Sequence, residues 1–290
     1  MAHPKQHSNH DASELGTAPS PLTDNPGIER IWSQGRCRLA SIWTLLSNMG
    51  NEFYSPGEKR AAQVNRLFAA IASRYDLIND LQSIGLHRRW KKRLVQLADA
   101  RSDDHALDLC CGTGDISFAL AECGAKVTGL DFSEPMLNVA KNRNRRFKSE
   151  SQSPEFIVGD AQKTSFPDAS FDVVTVGYGL RNLSSWEAGL AEMVRVARPG
   201  GRLLVLDFGK PDNPLWRAIY FGYLRLCVPL LGLVFCRNAG AYAYILESLK
   251  HYPAQRGIEA KMRELGLEKV RIENFLGGAM SINHGEKPAL

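Results

Sequence analysis

Hydrophobic and polar positions follow two different periods from about residue 55 to the end of the chain. Apolar residues spaced three to four apart predict helices, and short apolar runs that end in Gly or Asp predict strands. The predicted helices are 57–71, 87–98, 115–121, 135–146, 186–197 and 255–265, and the predicted strands are 105–110, 125–130, 155–158, 171–177, 202–208, 268–275 and 279–283. Strands separated by helices predict right-handed crossovers in a doubly wound, mostly parallel α/β sheet. The last two strands are only three residues apart, so we expect them to pair antiparallel.

The first fifty residues lack this periodicity. They are rich in His, Ser, Pro and Asn, which is typical of a disordered segment, and only Leu39–Leu46 favours one or two helical turns. They contain no secretory hydrophobic segment, and acidic residues such as Asp11 argue against a transit peptide. We therefore divide the chain into a disordered or spurious extension, 1–50, and a folded domain, 51–290, with translation from Met49 as the alternative start.

Composition narrows the class of protein. The chain has 44% hydrophobic and 23% charged residues, as ordinary globular proteins do. Its net charge of +5 is too small to indicate a dedicated nucleic-acid binder, but it is compatible with an anionic ligand or membrane surface. The six cysteines include no Cys-x-x-Cys pair, so we expect neither a metal site nor a disulfide framework. Reduced cysteines and a cytoplasmic location follow.

The first predicted strand ends in a glycine turn, Cys111-Gly112-Thr113-Gly114-Asp115. Glycines let the backbone approach a ligand closely, and open α/β sheets bind ligands at the carboxyl ends of their strands. A dinucleotide fingerprint would need a third glycine at position 117, where this chain has Ser117. The turn therefore disfavours an NAD-dependent oxidoreductase.

Carboxylates follow the ends of three successive strands. Asp115 opens the helix after the first strand, Asp131 ends the second, and Asp160 follows the third. Asp131 is placed to accept hydrogen bonds from two ribose hydroxyls, and Asp160 to accept one from an adenine amino group. Each acid alone is more often a helix cap than a ligand contact. Together they predict a nucleoside ligand without a phosphate group.

Three further stretches narrow the function. Tyr75–Asp80 with Ser83–Trp90 forms the first, Gly177–Asn182 follows the fourth strand, and Arg195–Gly201 precedes the fifth. With its glycine turn, the chain resembles the class I S-adenosylmethionine-dependent methyltransferases. The three stretches resemble, more narrowly, the quinone-biosynthesis C-methyltransferase family. The resemblance runs from about Ser55 to Pro288 and implies a Rossmann-like sheet of seven strands.

The family methylates a ring carbon of demethylmenaquinol or, in some members, of a ubiquinol precursor or a phytyl naphthoquinol. The resemblance implies methyl transfer from S-adenosylmethionine to demethylmenaquinol, the last step of menaquinone biosynthesis, without a metal. A ubiquinone precursor and 2-phytyl-1,4-naphthoquinol are alternative acceptors, and a catalytically silent scaffold subunit is an alternative of another class. The Val-Gly-Tyr-Gly form of the stretch after strand four resembles the plant and cyanobacterial members, which favours a naphthoquinone.

The expected cofactor residues combine family positions with the glycines of the strand ends. They are Thr113, Asp131, Asp160 and Ala161 at family positions, with Gly112, Gly114 and Gly177. Many members of the family have Ser at the position of Gly177. In this chain a hydroxyl contact is therefore lost or replaced by backbone.

A quinol ring carbon becomes nucleophilic when the neighbouring phenol loses its proton, so the protein must align the reactants and assist deprotonation. We predict that Arg181, beyond the fourth strand, stabilises the phenolate, because a guanidinium is a poor base. Tyr75 and His87 are further candidate catalytic residues. They lie in a stretch that, according to the resemblance, forms a lid over the site. This stretch belongs to a helical segment, 55–100.

Each of these three residues also has a structural interpretation. Arg181 could instead form an ion pair with Asp172 or Glu187. Tyr75 could be an ordinary core tyrosine, and His87 could simply begin a helix.

Residues 209–254 form an apolar insert, and Leu215–Phe235 is its most apolar part. Two arginines and a proline interrupt that part, so it does not predict a membrane span. We expect the insert to form a wall for a prenyl tail, with Leu230 and Leu231 as candidate contacts. A buried helix pair is the alternative.

The expected partners are a prenylated naphthoquinol and the inner face of the membrane, contacted peripherally. A homodimer is compatible with the sequence. We expect no nucleic-acid partner, because a base methyltransferase would show an Asn-Pro-Pro-Tyr-like run where this chain has Gly177-Tyr178-Gly179.

Overall fold

One seven-stranded sheet organises the part of the chain that this computed structural model describes, residues 58–72, 75–145, 153–236 and 240–289. The helices are α1 (Glu58–Ile71), α2 (Tyr75–Ser83), α3 (Leu86–Ala98), α4 (Asp115–Glu122), α5 (Glu134–Asn144), α6 (Trp186–Val196), α7 (Pro214–Cys236), α8 (Gly240–His251) and α9 (Ala254–Glu264). The strands are β1 (His105–Leu109), β2 (Lys126–Asp131), β3 (Glu155–Val158), β4 (Phe171–Gly177), β5 (Ala197–Phe208), β6 (Glu268–Phe275) and β7 (Met280–Glu286). Short 3₁₀ turns cover Leu180–Asn182 and Leu276–Gly278.

The strand order is β3-β2-β1-β4-β5-β7-β6. Strands β1 to β5 pair in parallel, and β7 pairs antiparallel with both β5 and β6. The doubly wound fold with an antiparallel C-terminal pair is therefore confirmed. The chain winds outward in opposite directions from β1 and β4, so the ligand crevice of such a sheet lies at their carboxyl ends.

The first residues of β5 differ from the prediction. The strand begins at Ala197, which pairs with Phe171, and not at Arg202. Gly200 has a φ of 76°, which glycine adopts at low cost, and its N–H donates to the carbonyl of Lys287 at 2.8 Å. The Arg-Pro-Gly-Gly stretch is thus an irregular part of the strand and not a loop.

Helix α2 is absent from the periodicity-based prediction. It has nine residues, Tyr75–Ser83, which is shorter than the roughly ten over which a helical period is recognised. The helix ends in a left-handed turn at Ile84 and Gly85, with φ values of 52° and 73°. The N–H of Gly85 donates to the carbonyl of Asp80 at 2.8 Å, and α3 begins at the next residue.

The apolar insert contains helices α7 and α8, which pack against each other. Helix α7 continues through Pro229 and buries Tyr220, Leu224 and Val228 on one face. In the described parts of the chain, no helix is both long and apolar enough to cross a membrane. The predicted extension 1–50 lies outside the described residues.

Candidate active site

A cavity of about 180 Å³, here called the strand-end cavity, lies where β1, β2 and β4 end. Backbone of the glycine turn, two carboxylates and apolar side chains form its lining. The lining residues include Val64, Phe68, Tyr75, Gly112, Leu130, Asp131, Phe132, Met136, Asp160, Ala161, Gln162, Gly177, Tyr178 and Asn182. Its position matches the ligand crevice predicted from the strand ends.

Asp131 is a buried carboxylate in the lining of this cavity. One carboxylate oxygen accepts the N–H of Gly112 at 2.8 Å, and the other accepts the N–H of Ser133 at 2.8 Å. Burial raises the pKa of Asp131, and the backbone donors oppose that rise. Each oxygen keeps a further acceptor position. A ligand with two adjacent hydroxyls matches this arrangement.

The other predicted cofactor residues divide into two groups. Asp160, Ala161, Gly112 and Gly177 line the strand-end cavity together with Asp131. Thr113 and Gly114 belong to the same turn but do not line the cavity. A Cβ at Gly114, where φ is 86°, would lie 2.8 Å from the Phe156 ring, so this glycine shapes the turn.

Gly177, the position at which the family often has Ser, is in close contact with Ile116. A Cβ built on Gly177 would lie 2.4 Å from Cδ1 of Ile116, on helix α4. A side chain at 177 therefore needs a smaller or displaced residue at 116. The absence of a side-chain hydroxyl at position 177 and the presence of isoleucine at position 116 are therefore linked by packing.

Hydrogen bonds and ion pairs connect the glycine turn to helix α2. The hydroxyl of Thr113 donates to Asp76 at 3.0 Å, and Arg143 lies 3.4 Å from the second oxygen of Asp76. Arg143 also pairs with Asp115 at 2.7 Å, and Lys91 pairs with Asp115 at 2.6 Å. The two cations hold the pKa of Asp115 at about 2 against the effect of burial, which raises it. Thr113 thus links the turn to the segment predicted to be a lid.

A second cavity, of about 380 Å³ and here called the helical cavity, adjoins the first. It is lined mainly by apolar side chains of α1, α2, α3, α7, α8 and the Leu276–Gly278 turn. Phe68, Tyr75 and Tyr178 line both cavities, so the two spaces meet at these rings. Ligands in the two cavities would therefore lie against the same three rings.

Arg181 is a buried cation on the wall of the helical cavity. Its Nε donates to Asp207 at 3.1 Å, and its backbone N–H donates to the other oxygen of Asp207 at 3.2 Å. Its Nη1 donates to Ser248 at 2.7 Å and to Asn182 at 3.0 Å. Its guanidinium also lies over the ring of Phe208, 4.9 Å from the centroid. Nη2 donates to no described residue, so this nitrogen is available to a ligand.

The ion-pair partner of Arg181 is Asp207, and neither of the two acids considered from the sequence. Asp172 instead pairs with Arg198 at 2.6 Å, and Glu187 accepts the hydroxyl of Ser185. Burial raises the pKa of Asp207, and the charge of Arg181 opposes that rise. Sequence reasoning missed Asp207, although it is an acid near the end of an otherwise apolar strand, as Asp131 is.

Tyr75 and His87 occupy different places. Tyr75, the first residue of α2, lies where the cavities meet, and removal from water raises its pKa. His87 is buried beside the helical cavity, and its Nε2 lies 2.8 Å from Asp80. Burial lowers the pKa of His87, against the opposing effect of Asp80. Asp80 also accepts two hydrogen bonds from Arg88, so His87 helps to fix the α2–α3 turn.

Comparison with known proteins finds relatives that match most of the chain. A model of the ubiE/COQ5 methyltransferase family matches residues 57–287. A ubiquinone/menaquinone biosynthesis C-methyltransferase UbiE from Ectopseudomonas mendocina is 39% identical over 80% of this chain and 92% of its own length. A demethylmenaquinone methyltransferase from Desulfitobacterium hafniense is 40% identical over the same shares. The fold is similar to that of a SAM-dependent methyltransferase from Aquifex aeolicus, with 16% identity, a TM-score of 0.50, and coverage of 73% of this chain and 97% of that one.

Proposed function

Because the chain belongs to the ubiE/COQ5 methyltransferase family, we propose that it transfers a methyl group from S-adenosylmethionine to a ring carbon of demethylmenaquinol, giving menaquinol. The observation that carries this proposal is the junction of the two cavities at Phe68, Tyr75 and Tyr178. One cavity offers carboxylates for a nucleoside, and the other offers an apolar wall for a prenylated ring. Their shared boundary is where a methyl group would pass.

The strand-end cavity suits the methyl donor. Asp131 would accept the two ribose hydroxyls, since both of its oxygens are already oriented by backbone N–H groups. Asp160 would accept from the adenine amino group, with Ala161 beside it in the lining. The donor supplies an electrophilic methyl group on a sulfonium sulfur. The protein therefore has only to hold and align it.

The helical cavity suits the acceptor. Arg181 lies in a largely apolar surrounding, and its side-chain hydrogen bonds to Asp207 and Ser248 fix the plane of the guanidinium. The free Nη2 can donate to the quinol oxygen as that oxygen loses its proton. A fixed cation stabilises developing phenolate charge more strongly in such a site than in water. Arg181 thereby makes the neighbouring ring carbon nucleophilic.

Tyr75 and His87 have supporting roles in this proposal. Tyr75 lies against both cavities and would align the acceptor ring with the methyl donor. His87 acts as a positioning residue, because its pair with Asp80 holds the turn that closes one end of the helical cavity. The Thr113–Asp76 bond couples this segment to the donor side.

A ubiquinol precursor is the second candidate acceptor. Curated relatives 36–39% identical to this chain are named for both ubiquinone and menaquinone biosynthesis. A benzoquinol ring has the same phenolic oxygen and the same prenyl tail. Arg181 and the helical cavity therefore suit either ring.

The test is a methyl-transfer assay with labelled S-adenosylmethionine and two acceptors in parallel, demethylmenaquinone and a ubiquinone analogue that lacks the ring methyl group, each with and without a reductant. We expect label in the naphthoquinone product, and only under reduction, because only the quinol provides a phenolate. If the ubiquinone analogue were methylated preferentially, the acceptor would be a ubiquinol precursor and not demethylmenaquinol. Equal turnover of the oxidised quinone would contradict the mechanism.

A further inference from the structure

Helix α2 carries a row of polar side chains on the face that lines the helical cavity. The row consists of Tyr75, Asn79 and Gln82, whose spacing of four and three residues keeps them on one side of the helix. Asn79 is only 9% exposed, whereas the apolar Leu77 of the same helix is 53% exposed. The rest of the cavity lining is mainly apolar. Polar groups buried in such a surrounding are costly unless each of them has a partner.

The amides of Asn79 and Gln82, here called the amide pair, bond to each other and leave two polar atoms without a partner. Nε2 of Gln82 donates to Oδ1 of Asn79 at 3.1 Å. Nδ2 of Asn79 and Oε1 of Gln82 are buried, and neither is in hydrogen-bonding geometry with a residue that the structure describes. Turning both amides exchanges the roles of donor and acceptor but leaves one of each. The amide pair therefore offers one unpaired donor and one unpaired acceptor.

The amide pair lies between the junction of the two cavities and helix α7. Tyr75 belongs to the lining of both cavities. Burial raises the pKa of Tyr75, and the amide of Asn79 is among the groups that oppose this rise, so this amide is close to the Tyr75 hydroxyl. At the other end of the row, the hydroxyl of Tyr223 donates to the backbone carbonyl of Gln82 at 2.7 Å. This bond holds the end of α2 against α7.

Arg181, on the wall of the same cavity, can serve only one end of a quinol. A quinol carries two oxygens on opposite sides of its ring, and Arg181 is assigned to the oxygen that loses its proton. A guanidinium has donors only, and a carbonyl oxygen accepts from it as a hydroxyl oxygen does. The hydrogen bonds of Arg181 therefore do not distinguish a neutral quinol from a quinone. The second oxygen needs a partner of its own.

His87 also has a buried atom that is unpaired among the described residues, Nδ1. Its Nε2 lies 2.8 Å from the carboxylate of Asp80, which accepts, so Nε2 carries the proton and Nδ1 is an acceptor. His87 lies beside the α2–α3 turn, however, and Nδ1 comes without a donor. The amide pair combines a donor with an acceptor, and it belongs to the row that reaches the junction.

A hydroxyl group matches the amide pair, whereas a carbonyl group does not. A hydroxyl oxygen accepts from Nδ2 of Asn79 while its proton is donated to Oε1 of Gln82. A carbonyl oxygen accepts from Nδ2 but has no proton to donate, so Oε1 stays buried and unpaired beside a second acceptor. Sites that hydrogen-bond a hydroxyl of their ligand discriminate strongly against an analogue that lacks it.

We propose that Asn79 and Gln82 bind the second hydroxyl of the acceptor, the one that does not face Arg181, and thereby select the quinol over the quinone when the acceptor binds. This inference rests on the proposed function, because it takes a quinol as the acceptor. Asn79 anchors the oxygen in either redox state. Gln82 is the specificity-determining residue, because its acceptor atom is satisfied only by the reduced form.

The test is anaerobic equilibrium dialysis of the full chain at pH 8, with S-adenosylhomocysteine present, against labelled 2,3-dimethyl-1,4-naphthoquinone or its dithionite-reduced quinol. Both ring positions of this probe are substituted, so neither methyl transfer nor addition of a thiol occurs. The variant is Gln82→Met, and the matched control is Gln96→Met, since Gln96 is exposed on α3 and lines neither cavity. We expect the wild type and the control to bind the quinol about tenfold more tightly than the quinone, and Gln82→Met to bind both about equally.

A second variant, Gln82→Glu, separates hydrogen bonding from packing. A carboxylate keeps an acceptor oxygen at this position, so this variant should still prefer the quinol. The proposal would be overturned if Gln82→Met kept the preference of the wild type, if Gln82→Glu lost it as fully as Gln82→Met, or if the wild type bound neither form or both forms equally. A preference that depends on Gln82, in a protein that methylates neither quinol, would uphold the hydroxyl site and reject only the proposed methyl transfer.

Discussion

The strand-end cavity and the helical cavity are held in place by different means. In the first, Asp131 and Gly177 are the last residues of β2 and β4, and the parallel ladders fix where those strands end. In the second, Arg181 depends on Asp207, 26 residues later, and on Ser248, 67 residues later. Backbone hydrogen bonds position the donor side, whereas long-range side-chain contacts position the acceptor side.

This difference predicts how substitutions affect each of the two cavities. A substitution at a strand end removes one ligand contact and leaves the backbone in place. A substitution in the helical cavity removes a partner from a buried group, which affects packing as well as chemistry. Binding and turnover should therefore be separable by mutation, and the following measurements test that separation.

The largest effect is expected from Arg181→Ala. Loss of the cation removes stabilisation that arises only as the phenol deprotonates, so kcat should fall by about 10²–10³-fold. The dissociation constant of S-adenosylmethionine should stay nearly constant, because Arg181 does not line the strand-end cavity. Steady-state kinetics and calorimetry measure the two quantities.

Arg181→Lys is the control, since it keeps the charge but loses the planar guanidinium, whose Nε donates to Asp207 and whose Nη1 donates to Ser248. The kcat of this variant should lie between those of the wild type and the alanine variant. A thermal melt of both variants checks folding. If Arg181→Ala weakened donor binding as much as it lowered kcat, the two cavities would not act separately.

The next largest effect is a pH dependence of the free energy of unfolding, which arises from Asp108 in β1, one of the strands that end at the strand-end cavity. Asp108 is buried in β1, accepts hydroxyl hydrogen bonds from Ser117 and Thr175, and has a pKa raised by burial to about 6. A raised pKa means that the folded state prefers the protonated acid. The contribution of Asp108 to stability is therefore complete below its ordinary pKa of 3.8 and is lost as the pH rises through about 6.

The loss corresponds to about 3 kcal/mol in the free energy of unfolding. Asp108→Asn cannot ionise, so the wild type should lose about that much stability relative to the variant between pH 4 and 7. Denaturant unfolding of both proteins across this range gives the difference. A difference that does not change with pH would refute the assignment.

A smaller effect is expected from Asp131→Ala, which removes the acceptor of the ribose hydroxyls. Loss of charge-assisted hydrogen bonds should weaken S-adenosylmethionine binding by about 1–3 kcal/mol. Asp131→Asn retains one acceptor oxygen and should lose less. Calorimetry measures the affinity, and the KM for the quinol serves as the control that should not move. Unchanged donor affinity in both variants would exclude Asp131 from the donor site.

The smallest effect concerns the prenyl tail. Leu224 is buried and lines the helical cavity, so Leu224→Ala should raise KM for a short-tailed quinol by about 3- to 10-fold and leave a tail-less quinol unaffected. Leu230→Ala is the matched control, because Leu230 is exposed and does not line the cavity. Both are assayed without a bilayer. Equal changes in KM for the two quinols would reject the tail site.

The sequence predicts the donor side well because its signals are local. Period-two and period-3.6 patterns place β1 to β5, and the acids at 131 and 160 lie next to the strand ends that position them. Helix α2 is not predicted by periodicity because it has only nine residues, fewer than the roughly ten over which a helical period is recognised.

The acceptor side is harder to predict because its contacts join distant segments. Asp172 and Glu187 are closer to Arg181 in sequence than Asp207 is, yet Asp172 lies at the start of β4, whereas Asp207 lies near the end of β5 and pairs with Arg181. Apolar residues lie on every side of helix α7, and Arg217 and Arg225 are its only charged residues, so the pattern does not distinguish the cavity face from the exposed face. For this reason Leu230 and Leu231, the tail contacts expected from the sequence, do not line the cavity.

The contact between Gly177 and Ile116 also restricts the order in which this chain can change. A serine introduced at 177 alone would bring its Cβ to within 2.4 Å of the isoleucine. A prior exchange of Ile116 for alanine would instead leave a small void, which costs stability but is tolerable. A serine at position 177 therefore requires either a shift of the Cδ1 end of Ile116 or a smaller residue at 116. Because the two positions are in contact, a serine at 177 should cost less stability when it is combined with alanine at 116 than when it is introduced alone.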